Sequence, residues 1–197
     1  MKSYILSKNL KFVDVKKYGF AVEPRYYFYG WEKFPAIMGR ESAVKALIEA
    51  KKFLPRGFNF KIWDCKRARN VQFLMQKSFE RRLKLAYPKF GASKIKKLVE
   101  KFGGPTPPPL VPKRLDGHGS GGAFDLTIID AKGNELYFGT DHDDLTKKAA
   151  TDFFEKKKKL SVFDKEARKN RRLLIMAMKK ADFKNYAPEW WHWGYGK

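Results

Sequence analysis

The chain is short of cysteine, of histidine, of acidic residues and of long apolar runs. Cys65 is its single cysteine in 197 residues, which excludes an internal disulfide framework and leaves nothing that demands an oxidising compartment. No apolar stretch approaches the roughly 18 residues needed to cross a bilayer, and Lys, Asn or Asp interrupts each one in the N-terminal MKSYILSKNLKFVDVKKYGF. The expectation is a protein without membrane insertion, export signal or anchor. That places it in the cytoplasm, or in the periplasm if a leader has been removed. Against 43 Lys and Arg there are 21 Asp and Glu, a formal charge of +22. Such an excess attracts anionic partners without choosing among nucleic acid, acidic lipid and acidic polymers.

What is present is enough for one core. Hydrophobic residues make up 43% of the chain and no shift in composition divides it, so one domain over residues 1–197 is expected, with 1–40 a strand and loop segment packed on the body. Val44, Leu47 and Ile48 give Glu41 to Phe53 a helical period that Pro55 and Gly57 stop. Phe58, Phe60 and Ile62 alternate as in a strand that runs to Asp64. Arg69 to Leu85 reads as a second helix, and Ser93 is placed to cap a third that reaches Phe102. Residues 103–117 open as a Gly/Pro-rich loop that no helix can continue. Beyond it, Ala123 to Ile129 reads as a strand with Asp125 and Thr127 on its open face. The turn DAKGN leads to a hairpin partner at Glu135 to Phe138. Thr146 to Leu160 and Asp164 to Ala181 read as helices, and the basic runs 156–159 and 169–172 as their solvated faces. Strands and helices without regular βα alternation predict an α+β fold, a small antiparallel sheet flanked by helices.

Two short segments carry chemistry. His118 and Asp125 lie in GHGSGGAFD, and Glu189 and His192 in PEWWHW near the C-terminus. Two neutral imidazoles and a carboxylate can form the open three-ligand zinc set of a hydrolase, with Glu189 as a base beside it. Each segment alone has a plainer reading. GHGSGG fits a flexible loop with a chance histidine, and PEWWHW fits a buried aromatic segment with Glu189 in a salt bridge.

Taken together, the segments resemble a known family. GHGSGGAFDLT is similar to the first metal motif of the VanX-type D-alanyl-D-alanine dipeptidases, and EWWHW to their Glu-x-Trp-His element. FGTDHDD, NRRLLIMAMKKADF and the stretch Ile62-Trp63-Asp64-Cys65-Lys66-Arg67 resemble further segments, so the likeness runs from about Ile62 to His192. It implies that His118, Asp125 and His192 bind one zinc ion, that Glu189 is the catalytic base, and that Arg67 stabilises the developing oxyanion. It also implies that Asp143 holds the ammonium of a small peptide substrate from cell-wall metabolism. The zinc site is expected at one end of the sheet.

The chain departs from that family in places. His142 stands where the family has Phe, and is not read as a ligand. Lys66 and Ala68 replace Tyr and Pro around Arg67. Small hydroxyl residues beside the first His give way to Asp116, Gly117 and Gly119, and Asp116 would repel a substrate carboxylate unless paired with Lys113 or Arg114. The implied reaction is hydrolysis of a D-Ala-D-Ala type dipeptide. Its rivals are D,D- or L,D-carboxypeptidase action on cell-wall peptides, an inactive zinc-binding relative, and a basic nucleic-acid-binding protein, for which exposed aromatics at Tyr26 to Trp31 would have to share a face with cations.

Overall fold

Apolar residues at helical spacing build the long helices, and alternating ones build the centre of the sheet. The computed structural model describes residues 10–106, 108 and 114–197. In chain order the elements are β1 (Phe12–Asp14), β2 (Ala21–Val22), α1 (Arg25–Phe28), β3 (Met38–Arg40), α2 (Glu41–Lys51), β4 (Asn59–Asp64), α3 (Arg69–Ala86), α4 (Ala92–Gly103), β5 (Ala123–Ile129), α5 (Phe153–Lys156), α6 (Val162–Lys180), β6 (Lys184–Asn185) and β7 (His192–Gly194). Residues 1–9 of the N-terminal segment, and 107 and 109–113 of the Gly/Pro-rich loop with Lys113, lie outside the described residues.

The fold is α+β, as expected. Its main sheet has the order β2-β4-β5-β7-β6, antiparallel except for the parallel edge pair β2–β4, and β1 pairs with β3 in a separate ribbon. On one side α2 buries Ala43, Val44, Leu47 and Ala50, three and four residues apart, and lies against α6. These side chains join Phe60, Ile62, Phe124, Leu126, Trp190, Trp191 and Trp193 in the main core. A second, smaller core lies between α3, α4 and α1: Val71, Met75, Phe79 and Leu83 face Ile95, Val99 and Phe102, with Tyr26 at one end. Each such side chain contributes about 1.5–3 kcal/mol when fully buried.

Several elements differ from the sequence expectation. Gly91 rather than Ser93 precedes α4, and no side chain caps it. Ser161 instead caps α6, accepting from the Asp164 N–H while the Asp164 carboxylate takes the Ser161 N–H. Glu135 to Phe138 is not a full hairpin strand, because β7 occupies the first half of that edge of β5 and leaves room for a bridge only at Ile129 and Glu135. Thr146 to Leu160 holds a single 3-10 turn at Lys147–Ala149 and the one-turn α5, not a helix. Thr127 is buried rather than on an open face. The 169–172 run is only partly solvated: Arg171 is 2% exposed and donates to the carbonyls of Phe138, Lys148 and Ala150.

Candidate metal centre

Three backbone devices deliver the side chains. Asp125 lies within β5, whose register sets it directly opposite His192 at the start of β7. A bulge in β4 between Ile62 and Asp64 brings Asp64 opposite Asp125 as well, the re-aiming that bulges perform. His118 begins a 3-10 turn that closes at Gly121 with φ of +65°; a Cβ there would sit 2.9 Å from the Arg40 backbone N and from the Phe12 ring, so glycine alone fits. The Arg67 N–H donates to the His118 carbonyl and fastens this turn to the end of β4.

The four groups named in the two sequence segments meet. His118 Nε2 lies 3.1 Å from His192 Nδ1 and 3.2 Å from Asp125 Oδ2, and His192 Nδ1 lies 3.1 Å from Asp125 Oδ1. Glu189 Oε2 is 3.8 Å from His192 Nδ1, with the turn that returns the His192 N–H to the Glu189 carbonyl setting both on one side. Donor atoms around a tetrahedral ion bound at about 2.1 Å stand about 3.4 Å apart, so the set is sized for a small divalent cation. Its chemistry fits too. His118 Nδ1 is 2.7 Å from the Cys65 carbonyl and 3.0 Å from Asp64 Oδ2, which holds a proton on Nδ1 and leaves Nε2 as the nitrogen that a cation would take once it is deprotonated.

The electrostatics are those of a buried charge cluster. Burial pushes the Asp125 carboxyl up, but His118, together with hydrogen bonds from His118, His142 and His192, outweighs it and holds Asp125 well below the usual carboxylate range. Burial and the Arg67 charge pull His118 down, yet Asp125 and Asp64 overcome them and raise it to about 9. Burial lowers His192, with Asp125 opposing. Glu189 goes the other way: burial, then the Asp125 and Asp143 charges, lift it well above the ordinary carboxylate value. That environment suits a proton acceptor working near neutrality.

Arg67 lies at the centre of the cluster rather than on the solvated surface. Its Nε donates to Asp64 Oδ2 at 2.7 Å, its Nη2 to Asp125 Oδ2 at 2.8 Å and its Nη1 to Gln72 Oε1 at 3.0 Å. Asp143 lines the same cavity but does not join the ligand set. Its backbone has φ of +58°, Arg82 donates to its carbonyl at 2.8 Å, and the Tyr26 hydroxyl lies 3.3 Å from Oδ2. Asp116 is paired with Arg114 through two bonds of 2.8 and 2.7 Å, and that pairing lowers its pKa. Its charge is thereby partly neutralised. His142 is no member of the ligand set, though it touches Asp125.

The sequence reading gave Asp64 and Gln72 no role. Asp64 stands out in the sequence only as a member of the stretch from Ile62 to Arg67, and Gln72 carries no signal at all, since its reach to Arg67 depends on how α3 packs. The cavity around the cluster has a volume of about 700 Å³, with His118, Asp125 and His192 on one wall and Gln72, Met75 and Phe102 of the helical pair on the other. Of the aromatic cluster near the N-terminus, Tyr26 is buried and stacked on Trp31, while Tyr27, Phe28 and Tyr29 are exposed. Among the described residues no helix is long and apolar enough to cross a membrane.

No curated protein matches the chain. A family model described as D-ala-D-ala dipeptidase matches residues 31–197, beginning upstream of the Ile62 at which the motifs start. The match spans every residue of the charge cluster, and the chain belongs to the D-ala-D-ala dipeptidase family of metallopeptidases.

Proposed function

We propose that this chain is a single-domain zinc peptidase that hydrolyses a D-Ala-D-Ala type dipeptide, with His118, Asp125 and His192 holding one zinc ion. The observation that carries the reading is the convergence of His118 Nε2, His192 Nδ1 and the Asp125 carboxylate at 3.1 to 3.2 Å, with Glu189 beside them. Bound there, zinc supplies Lewis acidity and a water acidic enough to serve as nucleophile near neutral pH.

The protein side chains divide the remaining work. Glu189, raised by burial, takes the proton from the attacking water and returns it to the departing amine. Arg67 keeps its charge under all working conditions and offers a guanidinium already fixed by Asp64 and Gln72, so it stabilises a developing oxyanion without reorganising. Asp143 receives the ammonium of the substrate. A single imidazole, that of His142, touches both Asp125 and Asp143 at 3.4 Å. Asp143 therefore stands close enough to the three proposed ligands for a short substrate to span the two, which favours a dipeptide.

One observation favours carboxypeptidase action on longer cell-wall peptides. The cavity of about 700 Å³ continues past the ligands along Arg69, Gln72, Gly104 and Pro105, with room for more than two alanyl residues.

Metal analysis combined with hydrolysis of D-Ala-D-Ala, L-Ala-L-Ala and a murein pentapeptide tests the proposal. About one zinc per chain is expected. Glu189→Gln should keep that zinc while kcat on the dipeptide falls by about 10²–10⁴-fold. Protein that takes up no zinc under non-chelating conditions sinks the reading. Cleavage of the pentapeptide alone moves it to the carboxypeptidase.

A further inference from the structure

His142 occupies a position that apolar packing alone would give to a phenylalanine. Its side chain is wholly buried, boxed by the rings of Trp63, Trp191 and Tyr26 at centroid distances of 5.2, 5.7 and 5.9 Å. Within that box Nδ1 has no hydrogen-bond partner among the described residues. Nε2 points the other way, to Asp125 Oδ2 at 3.4 Å and Asp143 Oδ1 at 3.4 Å. A buried imidazole with one orphan nitrogen is a cost that a phenyl ring would not incur. Its compensation lies on the Nε2 side, where the contact to Asp125 has hydrogen-bond geometry and Asp143 stands within ion-pair distance, near enough to share the N–H.

We propose that His142 is a positioning residue whose Nε2–H is shared by Asp125 and Asp143, locking the metal-ligating carboxylate and the substrate-facing carboxylate at one fixed spacing. The proposal rests on the roles given above to Asp125 and Asp143. Asp125 already receives Arg67 on the oxygen that His142 approaches, so the imidazole adds a second fixed point and stops the carboxylate from rotating out of the ligand plane. Asp143 needs the same restraint more. It lies on a left-handed backbone residue, and among the described residues only the Tyr26 hydroxyl, which also reaches Met75 Sδ at 3.1 Å, holds its carboxylate besides His142. Groups that orient a metal ligand from behind commonly carry a factor of 10–100 in metal affinity. Here the same N–H also sets where the substrate ammonium sits, so metal binding and amino-terminal recognition are tied through one side chain.

The test compares wild type, His142→Phe and His142→Gln. The ring-lined slot accepts Phe by shape, and Gln restores an N–H donor at the reach of Nε2. Zinc affinity is read by competition with a chromophoric chelator, kcat and KM on D-Ala-D-Ala, and folding by thermal melts of the metal-free proteins. His142→Phe should weaken zinc binding by about 10–100-fold and raise KM more than it lowers kcat, and His142→Gln should recover most of both. Nitrogen-edited NMR of the wild-type imidazoles supplies a readout that needs no variant: His142 should carry its proton on Nε2. Equal losses in the Phe and Gln variants, unchanged zinc affinity and KM in His142→Phe, or a proton on Nδ1 alone overturns the proposal. Wild type that binds no zinc overturns the peptidase reading and this proposal with it, whereas tight zinc in all three proteins overturns this proposal only.

Discussion

Asp125 and His192 are direct partners across the antiparallel ladder of β5 and β7, so the spacing of two proposed ligands is set by backbone hydrogen bonds rather than by side-chain reach. The third, His118, is carried by a turn whose preceding residues press on the same strand.

The first prediction concerns Gly194, the β7 residue that pairs with Ala123. A Cβ there would meet the Asp116 carbonyl oxygen at 2.4 Å and the Asp116 Cβ at 3.0 Å. Gly194→Ala must therefore push β7 away from the turn that carries His118. It should cost about 1–3 kcal/mol in denaturant unfolding and weaken zinc binding in the protein that still folds. An alanine variant with wild-type zinc affinity would show that the two segments are not mechanically linked.

The residues of the candidate metal cluster were more legible in the sequence than the frame that holds them. His118, Asp125, Glu189 and His192 are chemically conspicuous, because a chain with three histidines offers few alternatives. Helices α2, α3 and α6 were legible for a similar reason, their buried residues falling three and four apart. The stretch Thr146 to Leu160 was not. Its two buried anchors, Ala149 and Phe154, are five apart and suit no single helical face, and the Thr151 N–H is drawn to the Ala187 carbonyl. Likewise Glu135 to Phe138 has the composition of a strand, but β7 arrives from far along the chain and takes the edge. Arg171 looked like surface because its partners are carbonyls, which leave no mark on side-chain patterning.

A second prediction follows from the charge on His118. Before metal binds, its pKa of about 9 keeps it protonated at neutral pH, and zinc requires the neutral imidazole. Zinc binding at pH 7 should release about one proton, measured by titration calorimetry in buffers of different ionisation enthalpy. Affinity should rise with pH until about 9. For the metal-free protein the sign is opposite. The folded value lies above the reference of 6.5, so the stabilisation is complete below that pH and is lost as pH climbs through about 9. Zinc uptake without proton release would contradict the assignment of His118.

A third concerns Arg67, which touches two buried carboxylates. Arg67→Ala leaves both uncompensated and should cost about 3–5 kcal/mol of stability, so its kinetics would mix unfolding with catalysis. Arg67→Lys keeps the charge and loses the planar fork. In the folded lysine variant kcat should fall while the zinc content holds, and an unaltered kcat would remove Arg67 from the reaction.

A fourth concerns Arg171. Replacing it with Met strips donors from the carbonyls of Phe138, Lys148 and Ala150, bonded now at 3.0, 2.9 and 2.6 Å. The expected loss is about 1–3 kcal/mol by chemical denaturation, the cost of leaving buried carbonyls without donors. Because these carbonyls bracket Thr140 to Asp143, KM should suffer more than zinc affinity. Equal effects on both would place the damage in the sheet instead.

The two cores divide labour in a way that bears on how such a protein diversifies. All three proposed ligands ride on the sheet and its adjoining turn, whereas the opposite wall of the cleft, Gln72, Met75 and Phe102, belongs to the α3–α4 pair with its own apolar interior. Drift within that helical pair can reshape what the cleft admits while leaving the ligand spacing untouched. Selection on substrate and selection on metal chemistry can therefore act on separate parts of the same chain.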